Sequence, residues 1–337
     1  MRRKKILIIT DNTADQINGV VTTFRNIELL AQRDGYDITY IDPSDFRSWP
    51  APGYPEVRLA WPARIGRRIA AQHADYVHIA TEGPVGLAAR LWLDGQGWRY
   101  NTSYHTKFPE FMNRIYGIPE CMTYAYVRWF HKHSGRVLTT TDTMVRDLEA
   151  HGFTGNIQSW TRGVDRTIFD PGLRDRTDSE IRLLSVGRVS REKGLDDFCS
   201  LQIPGTRKTV VGDGPYLATL QRRYPDVEFA GARTGRDLAR YFANADVFVF
   251  PSRVDTFGVV IIEALAVGTP VAAYPVPGPR DILAAGVTGH MEQDLESAVL
   301  RCLDLDRAQV LAASDAWTWQ ACWTMFRDNL IACDACV

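Results

Sequence analysis

The sequence predicts an α/β protein in which two Rossmann-like, doubly wound domains face an inter-domain cleft. Strand-like apolar runs alternate with segments of helical length almost throughout the 337 residues, which is the pattern of βαβ units and parallel sheets. The alternation stops over residues 162–180, a stretch rich in charge, Gly and Pro, and restarts at residue 181. Because ligands of such sheets bind beyond the carboxyl ends of the strands, we expect the functional site in the cleft between the domains.

The first predicted domain covers residues 1–165. Its strand candidates are KKILIIT, YDITYID, ADYVHIAT, WRYNTSY and GRVLTTT. Segments with helical spacing that end in Gly or polar turns lie between and after them: VVTTFRNIELLAQRDG, PARIGRRIAAQH, GPVGLAARLWLDG and TDTMVRDLEAHG. We expect Asp142 or Thr143 to cap the last of these helices.

Residues 166–180 are predicted to be a linker, and residues 181–310 to form the second domain. The strand candidates of that domain are IRLLSVG, RKTVVGDG, DVEFAG, ADVFVFPS and TPVAAYP. A C-terminal helical segment follows over residues 311–337. Within it Trp319, Trp323 and Phe326 recur at i, i+4 and i+7, so they share one helix face, which is typical of core packing.

Composition excludes several classes of function. Lys and Arg number 39 against 40 Asp and Glu, so the formal net charge of -1 gives no reason to expect a nucleic acid partner. No apolar run reaches the ~18 residues that a membrane span needs, and the ILIIT that follows MRRKK is too short for a signal peptide. Six scattered cysteines fit free thiols in a reducing cytoplasm, and we interpret the Cys333–Cys336 pair as part of a fraying terminus rather than a metal site.

Two carboxylates stand out in the segment PSRVDTFGVVIIEALAVGTPVAAY, residues 251–274. Asp255 precedes the run GVVIIEALAVG, which has the character of a helix, and Glu263 lies within that run, about two turns further on. A Glu in so apolar a run is costly unless a polar group meets it. The segment therefore predicts a ligand that both carboxylates contact.

Two cations and a glycine-rich turn precede these carboxylates in the second half of the chain. Arg188 and Lys193 follow a strand in a Gly-flanked loop, where both would suit phosphate oxygens, although an exposed basic loop explains them better if they are taken alone. The turn VVGDGPYLATL has Gly212 and Gly214 but no third glycine, and Pro215 interrupts it. A nicotinamide-dependent Rossmann enzyme is therefore disfavoured.

The first half offers three weaker candidates. Gly19 follows Asn18 between a strand and a helix, where backbone N–H groups could approach a phosphate, but an ordinary turn is the favoured interpretation for Gly19 alone. His105 lies in the polar stretch NTSYHTKFPEF, and a lone His is usually structural. Glu82 either binds a ligand at the cleft or, as we favour, is simply an acidic residue at a helix start, where the helix dipole favours negative charge.

Taken in order, these pieces resemble the family 4 retaining glycosyltransferases of the GT-B fold. The resemblance spans roughly residues 4–300, and the ordered set is specific although each piece alone is weak. Its elements are Asn18-Gly19-Val20, SYHT, RGVD, VGRVSREKG, VGDGP and DTFGVVIIEALAVGTPVAAY. The segments RVDTFG and AYPVPGP look most like the bacterial branch of GDP-mannose-dependent α-mannosyltransferases, with the sulfolipid-type synthases nearby.

The resemblance implies a role for each candidate. Arg188 and Lys193 would hold the donor diphosphate, while Glu263 would accept hydrogen bonds from the nucleotide ribose and Asp255 would bind hydroxyls of the sugar. The residues predicted to be catalytic are His105, Arg188, Lys193 and Asp255. The residues predicted to bind the donor are Gly19, Arg188, Lys193, Gly212, Asp255, Thr256, Phe257, Gly258 and Glu263. Phe257 and Gly258 would act through backbone N–H groups at a helix start.

The chain departs from the family at one site position. Many relatives carry Glu where Asp255 stands, so the E-x7-E pattern is D-x7-E here, and the sugar hydroxyl that the shorter side chain meets is open. The family's C-terminal helix also crosses back onto the first domain, which residues 315–330 could do. No D-x-D metal signature occurs in a suitable place, so we expect no cofactor and no essential metal.

The resemblance implies transfer of a hexose, mannose or glucose, from a nucleotide diphosphate sugar to an acceptor with an α-linkage. A GT-B-like nucleotide-sugar epimerase and a catalytically silent sugar-nucleotide-binding module are the alternatives. The sequence leaves the acceptor, a glycan or a lipid, and the nucleotide base open. The basic stretch RLAWPARIGRRIAAQH, residues 58–73, would suit contact with an anionic membrane, although we favour a solvated helix face. We therefore expect a cytoplasmic protein, with a peripheral position on the inner membrane face as an alternative.

Overall fold

The protein forms two compact units in a computed structural model that describes residues 2–16, 18–51 and 54–333. The first unit comprises the chain up to Arg162 together with the chain from Trp319 onward, and the second comprises Gly163–Thr318. Each unit contains its own six-stranded sheet. The predicted α/β class is therefore confirmed.

The first unit is built on a parallel sheet with helices between its strands. Its strands are β1 (Lys4–Ile9), β2 (Tyr36–Ile41), β3 (Arg47–Ala51), β4 (Tyr54–Trp61), β5 (Tyr76–Ile79), β6 (Asn101–Tyr104), β7 (Val137–Thr139) and β8 (Ile157–Ser159). Its helices are α1 (Gly19–Arg33), α2 (Ile65–Gln72), α3 (Pro84–Gln96), α4 (Phe108–Tyr116), α5 (Glu120–His131) and α6 (Asp142–Ala150). The sheet order is β2-β1-β5-β6-β7-β8, and β3 and β4 form a separate antiparallel ribbon.

The second unit repeats this plan. Its strands are β9 (Ile181–Val186), β10 (Thr206–Val211), β11 (Glu228–Gly231), β12 (Val247–Phe250), β13 (Val271–Ala273) and β14 (Gly289–Met291). Its helices are α7 (Leu195–Cys199), α8 (Leu217–Arg223), α9 (Gly235–Asn244), α10 (Val259–Ala266), α11 (Pro277–Ile282), α12 (Leu295–Cys302) and α13 (Arg307–Ala313). The parallel order β11-β10-β9-β12-β13-β14 is that of dinucleotide-binding domains, and it reverses direction between β9 and β12.

The apolar runs predicted as strands all form strands, because parallel strands are buried on both faces and leave continuous apolar stretches in the sequence. Residues 247–250 of β12, VFVF, are fully buried in this way. The sequence analysis did not identify the β3–β4 ribbon, helices α4 and α5, most helices of the second unit, and the edge strands β8 and β14. The two edge strands have three residues each, too few to show a pattern.

The segment predicted as a linker, residues 166–180, belongs to the second unit. Phe169 and Leu173 are buried in its core. The charge that suggested a solvated linker is used locally, because Arg174 and Arg176 each bind Asp246, at 2.9 and 2.6 Å. Most of this segment is therefore part of the folded domain.

Two local predictions also need correction. The cap of α6 is Thr141, whose hydroxyl accepts from the Met144 N–H at 3.2 Å, rather than Asp142 or Thr143. The basic stretch 58–73 contains the end of β4, at Trp61, and α2, which begins at Ile65, so the helix predicted over PARIGRRIAAQH is confirmed. Of the terminal cysteine pair, Cys336 lies outside the described residues, whereas Cys333 is buried and donates its backbone N–H to the Asp75 carbonyl.

The last helix, α14 (Trp319–Asp328), packs in the first unit against α1. Trp323 and Phe326 are fully buried there, as their shared face predicts. The Trp323 indole N–H donates to Asp34 Oδ2 at 2.7 Å, and the Trp160 indole N–H donates to the Cys322 carbonyl at 2.9 Å. This helix therefore completes the core of the first unit.

Trp323→Ala should lower the free energy of unfolding of the first unit by about 3–5 kcal/mol, because it leaves a large cavity and removes the indole N–H that donates to Asp34, leaving Arg327 as the side chain that binds that carboxylate. Trp323→Phe keeps most of the buried area and should cost clearly less. Chemical denaturation followed by circular dichroism measures both changes. Equal losses for the two variants would contradict the packing role of the indole.

Candidate active site

Three loops of the second unit meet where the strand order of its sheet reverses. They are residues 187–194 after β9, residues 212–215 after β10 and residues 251–258 after β12. All three leave the carboxyl ends of their strands, and β9 pairs directly with β12. In doubly wound sheets the crevice at such a reversal is where ligands bind, because the chain departs in opposite directions on either side of it.

Glycines allow these loops to pack backbone against backbone. Gly212 has a φ of +150°, and a Cβ there would stand 1.9 Å from the Gly187 carbonyl oxygen. A Cβ on Gly194 would stand 2.6 Å from the Pro251 carbonyl oxygen. The Val189 N–H also donates to the Asp213 carbonyl at 2.9 Å. The glycines that suggested a phosphate loop therefore hold the three loops together.

The loops after β9 and β12 bring a predicted cation and a predicted carboxylate into contact. Lys193 Nζ lies 2.6 Å from Asp255 Oδ1. The second carboxylate oxygen of Asp255, Oδ2, is buried and has no hydrogen-bond partner in the described part of the chain. A buried, unpaired acceptor is costly and marks a place where a donor group such as a hydroxyl would fit. Arg188 lies half-buried earlier in the same loop as Lys193.

The start of α10 has the geometry that the sequence led us to expect, and the two side chains that precede its N-cap are buried. Gly258 stands at the N-cap with a φ of +85°, and no side chain caps the helix. Thr256 and Phe257 are both buried, and the Phe257 ring packs edge-on against Trp317 at 5.6 Å. Phe257 can therefore contribute only backbone groups to a site, as predicted. The Phe257 side chain belongs to the core.

Glu263 lies in the second turn of α10, half-buried among apolar residues. None of the described residues donates a hydrogen bond to its carboxylate. Burial raises the pKa of Glu263 to about 7, because the charged form loses hydration without gaining a partner. The sequence-based expectation that this Glu requires an external polar group is consistent with that environment.

In the first unit, His105 follows the carboxyl end of β6 and is oriented by an arginine. The Arg162 guanidinium donates to His105 Nδ1 at 3.0 Å, so the proton of the neutral ring lies on Nε2. Burial and the neighbouring Arg162 charge lower the pKa of His105 well below its usual value. His105 is therefore a neutral ring with Nε2–H as its donor.

Arg162 is the residue that the sequence analysis missed. It is buried, it donates to the Trp160 carbonyl at 2.6 Å, and its guanidinium lies 4.3 Å from the centre of the Trp160 ring. The motif RGVD, which begins at Arg162, was the available signal. Because Arg162 reaches a predicted catalytic residue, it is a positioning residue for His105.

The strand order of the first sheet reverses between β1 and β5, and Gly19 follows the first of these strands. Asn18 caps α1 by accepting from the Val20 and Val21 N–H groups, and a Cβ on Gly19 would meet nothing within 4 Å. Space beside Gly19 is therefore compatible with the predicted close approach of a ligand.

Glu82 does not accompany the helix start that follows it. The carboxylate at the start of α3 is that of Asp11, which accepts from the Val85 N–H at 2.7 Å. Glu82 Oε1 instead lies 3.3 Å from His131 Nε2, in the interior of the first unit. The favoured interpretation of Glu82 was therefore wrong.

The structure thus places the candidates in two groups. The second unit carries Arg188, Lys193, Gly212, Asp255, Thr256, Phe257, Gly258 and Glu263 on the three loops and on α10. The first unit carries Gly19 and His105 beyond the carboxyl ends of β1 and β6. Within the described ranges, no group of three or more His, Cys, Asp or Glu side chains is arranged to hold a metal ion.

The fold and the glycine-lined crevice define the class of a nucleotide-binding α/β protein with two Rossmann-like units. Residues 17–167 match the family model described as Glycosyltransferase Family 4, and residues 180–305 match the one described as Glycosyl transferases group 1. The chain belongs to the family 4 glycosyltransferases, and it is a hexosyltransferase. The resemblance inferred from the motifs is confirmed.

Relatives that align over nearly the whole of this chain agree with this family. The GDP-mannose-dependent alpha-mannosyltransferase of Mycobacterium tuberculosis is 28% identical over 97% of this chain and 95% of that protein. The sulfoquinovosyl transferase SQD2 of Arabidopsis thaliana is 27% identical over 97% of this chain and 73% of that protein. The structure of sucrose-phosphate synthase from Thermosynechococcus elongatus superposes with a TM-score of 0.79 at 20% identity, covering 97% of this chain and 98% of that one. The GT-B fold is therefore confirmed.

Gly212→Ala should destabilise the second unit, because the added methyl group would collide with the Gly187 carbonyl. Gly205→Ala is a matched control, since Gly205 also has a positive φ of +74° but has nothing within 4 Å of an added Cβ. We expect the free energy of unfolding to fall by at least about 2 kcal/mol more for Gly212→Ala than for the control. Denaturant titration measures the difference, and comparable losses would argue against backbone contact between the loops.

Glu263→Gln should abolish a pH dependence of nucleotide binding. If the Glu263 carboxylate accepts ribose hydroxyls, protonation weakens binding below its pKa of about 7. Between pH 8 and pH 6, the affinity of the wild-type protein for a nucleoside diphosphate should then fall about tenfold more than the affinity of Glu263→Gln. Calorimetry at the two pH values measures the affinity of each protein. The ligand phosphate titrates in the same way with both proteins, so its effect cancels in the comparison. The same slope in both proteins would exclude the proposed contact.

The free energy of unfolding should change with pH in the direction opposite to the nucleotide affinity. Because the pKa of Glu263 is raised in the folded state, the unfolded chain loses this proton first, and stability falls as pH rises from about 4.5 to about 7. Glu263→Gln removes that loss and should raise the free energy of unfolding at pH 8 by up to about 3 kcal/mol. At pH 4 the two proteins should be nearly equally stable.

Proposed function

We propose that this glycosyltransferase moves a hexose from a nucleotide diphosphate sugar to its acceptor with retention, giving an α-linkage. GDP-mannose is the donor we propose, since GDP-mannose-dependent alpha-mannosyltransferases recur among the relatives. The observation that carries the proposal is the contact of Lys193 with Asp255 at the strand reversal of the second sheet. The packing of the loops holds together a cation that would bind phosphate oxygens and a carboxylate that would bind sugar hydroxyls.

In the proposed reaction, the bond between the anomeric carbon and the leaving phosphate oxygen breaks. The acceptor oxygen bonds to the same face of that carbon, and the acceptor proton passes to the leaving phosphate. Negative charge develops on the nucleoside diphosphate as the bond breaks. Arg188, Lys193 and the uncapped N–H groups at the start of α10 would stabilise that charge more in the transition state than in the ground state.

The two carboxylates are proposed to bind different parts of the donor. Asp255 Oδ2 would accept from a hydroxyl of the transferred sugar, which would satisfy a buried oxygen that otherwise lacks a partner. Glu263 would accept from the ribose. His105 would donate its Nε2–H to the sugar, because Arg162 occupies Nδ1 and the ring is neutral.

We propose that the reaction needs no essential metal, since guanidinium, ammonium and helix N–H groups can neutralise the leaving group. Addition of EDTA to the assay tests this.

The acceptor is proposed to be a glycan or a lipid. No helix in the described part of the chain is long and apolar enough to cross a membrane.

The family and the hexosyltransferase class speak against the two alternatives weighed from the sequence, an epimerase and a silent sugar-nucleotide-binding module, and one experiment checks all three. An epimerase would convert GDP-mannose without any second substrate, and a silent module would bind it without turnover. Incubation of the protein with GDP-mannose and a panel of glycan and lipid acceptors distinguishes all three, with products identified by mass spectrometry and the linkage by NMR. Transfer only in the presence of an acceptor, with an α-linked product, supports the proposal.

Arg188→Ala and Lys193→Ala should each lower kcat by about 10²–10³-fold, by analogy with removing one preorganised donor to developing charge. Arg236→Ala, at an exposed position on α9, is the control and should retain normal turnover. Asp255→Ala should also lower turnover, but it releases Lys193 from its ion pair. Nucleoside diphosphate affinity should then stay the same or increase in Asp255→Ala.

The double variant Lys193→Ala with Asp255→Ala tests whether the proposed phosphate-binding and sugar-binding roles are coupled. Because Lys193 and Asp255 touch, their effects on turnover should combine to less than the product of the single effects. Losses that multiply fully would contradict the assignment. So would an affinity for a nucleoside diphosphate that falls in Asp255→Ala as far as it falls in Glu263→Ala, the variant that removes the proposed ribose contact.

A further inference from the structure

The outer face of the β3–β4 ribbon is unusually apolar. Trp49 pairs with Leu59 and Arg47 pairs with Trp61 across the two strands, so these four side chains project on one side. Trp49, Leu59 and Trp61 are 57%, 40% and 68% exposed. We call the surface formed by Arg47, Trp49, Leu59 and Trp61 the ribbon face.

The opposite side of the ribbon packs on the protein. Ala60 is buried in the same core cluster as Ile65 and Ile69 of α2. Arg58 donates to the Ser48 carbonyl at 2.8 Å, along the inner side. In an antiparallel ribbon with one packed side, the outer side is normally polar. A cluster of two tryptophans and a leucine in that position indicates an interaction surface.

The amphipathic helix suggested by the sequence does not supply such a surface. The apolar residues of α2, Ile65 and Ile69, are buried. The side of the helix that faces solvent includes Arg67 and Arg68, and Arg64 at its N-cap is also exposed. The apolar contact surface lies on the preceding ribbon instead.

Positive charge predominates in the ribbon and in the adjoining segments of the chain. Residues 42–73 contain five arginines and three acidic residues, although the whole chain has a formal net charge of -1. One of the acidic residues, Asp45, is engaged by Arg68 at 2.9 Å. Arg47, Arg64 and Arg67 are exposed. Exposed tryptophans flanked by arginines are the side chains that favour the interface of an anionic bilayer, where the indole ring is partly buried and the charge meets lipid phosphate.

We infer that the ribbon face docks on the surface of a bilayer that contains anionic phospholipid. The positive flank selects a lipid surface over a second copy of this chain, because two such faces would repel each other. The ribbon also follows the carboxyl end of β2. Gly19 and His105 lie beyond the carboxyl ends of other strands of the same parallel sheet, and so at the same edge of it. Docking would therefore bring that edge towards the membrane. The inference does not depend on the proposed donor, since binding is measured without turnover.

Flotation of the full chain with vesicles tests the inference directly. We expect binding to vesicles of phosphatidylglycerol and phosphatidylcholine, weaker binding to pure phosphatidylcholine, and weakening in high salt. Trp49→Ser combined with Trp61→Ser should lower the partition coefficient at least about tenfold, because both indoles leave the interface. Leu91→Ser combined with Leu300→Ser replaces apolar residues of similar exposure elsewhere, and it should bind like the wild type.

Charge reversal provides a second variant that keeps the tryptophans. Arg47→Glu with Arg67→Glu should also weaken binding to the anionic vesicles at least about tenfold, given the usual contribution of each basic residue near such a surface. Arg236→Glu with Arg240→Glu changes the net charge equally at exposed positions on α9 and should have little effect. Unchanged thermal unfolding midpoints establish that all four variants are folded.

Three outcomes would overturn the inference. The first is no flotation of the wild type with anionic vesicles. The second is equal binding by the ribbon variants and their controls. The third is a dimer, seen by analytical ultracentrifugation, that the Trp49→Ser and Trp61→Ser changes dissociate, since the ribbon face would then bind a second copy of the chain.

Discussion

The backbone packing of the three loops at the strand reversal of the second sheet is the constraint on which the site depends. Gly212 lies against the Gly187 carbonyl, which fixes the start of the loop that carries Arg188 and Lys193. Gly194 lies against the Pro251 carbonyl, which fixes the end of that loop beside the segment that carries Asp255. Main-chain contacts thus determine where the charged groups lie, so their positions depend little on flexible side chains.

Glu263 shows what such a site costs the folded protein. A helix buried on most sides would be more stable with an apolar residue in its second turn, and the raised pKa of Glu263 expresses that penalty. Asp255 Oδ2 carries a similar penalty as a buried acceptor without a partner. If the donor binds as proposed, both groups would gain hydrogen bonds from it, and stability would be exchanged for binding.

Much of this could be predicted from the sequence, because parallel strands and loop glycines leave local patterns. The run VFVF shows its role without knowledge of the fold. The packing of Gly212 against the Gly187 carbonyl could not be predicted from its glycine-rich turn, since it joins two loops through strand order. The contact between Lys193 and Asp255 could not be predicted, since it joins residues 62 positions apart through strand order. The role of Arg162 was hidden for the same reason, and the arginines at 174 and 176 resembled a linker because their partner, Asp246, is distant in sequence.

The return of α14 to the first unit has a consequence for synthesis of the chain on the ribosome. The second unit, Gly163–Thr318, is inserted within the first, and its two ends are joined by the bond from the Val164 N–H to the Trp317 carbonyl at 3.2 Å. Translation therefore delivers every residue of the second unit before α14 emerges. Until then Phe24, Trp160 and the rest of the first core lack the Trp323 and Phe326 side chains that cover them. The unit that begins first is completed last, so the nascent protein exposes an unfinished apolar core while the inserted unit is already able to fold.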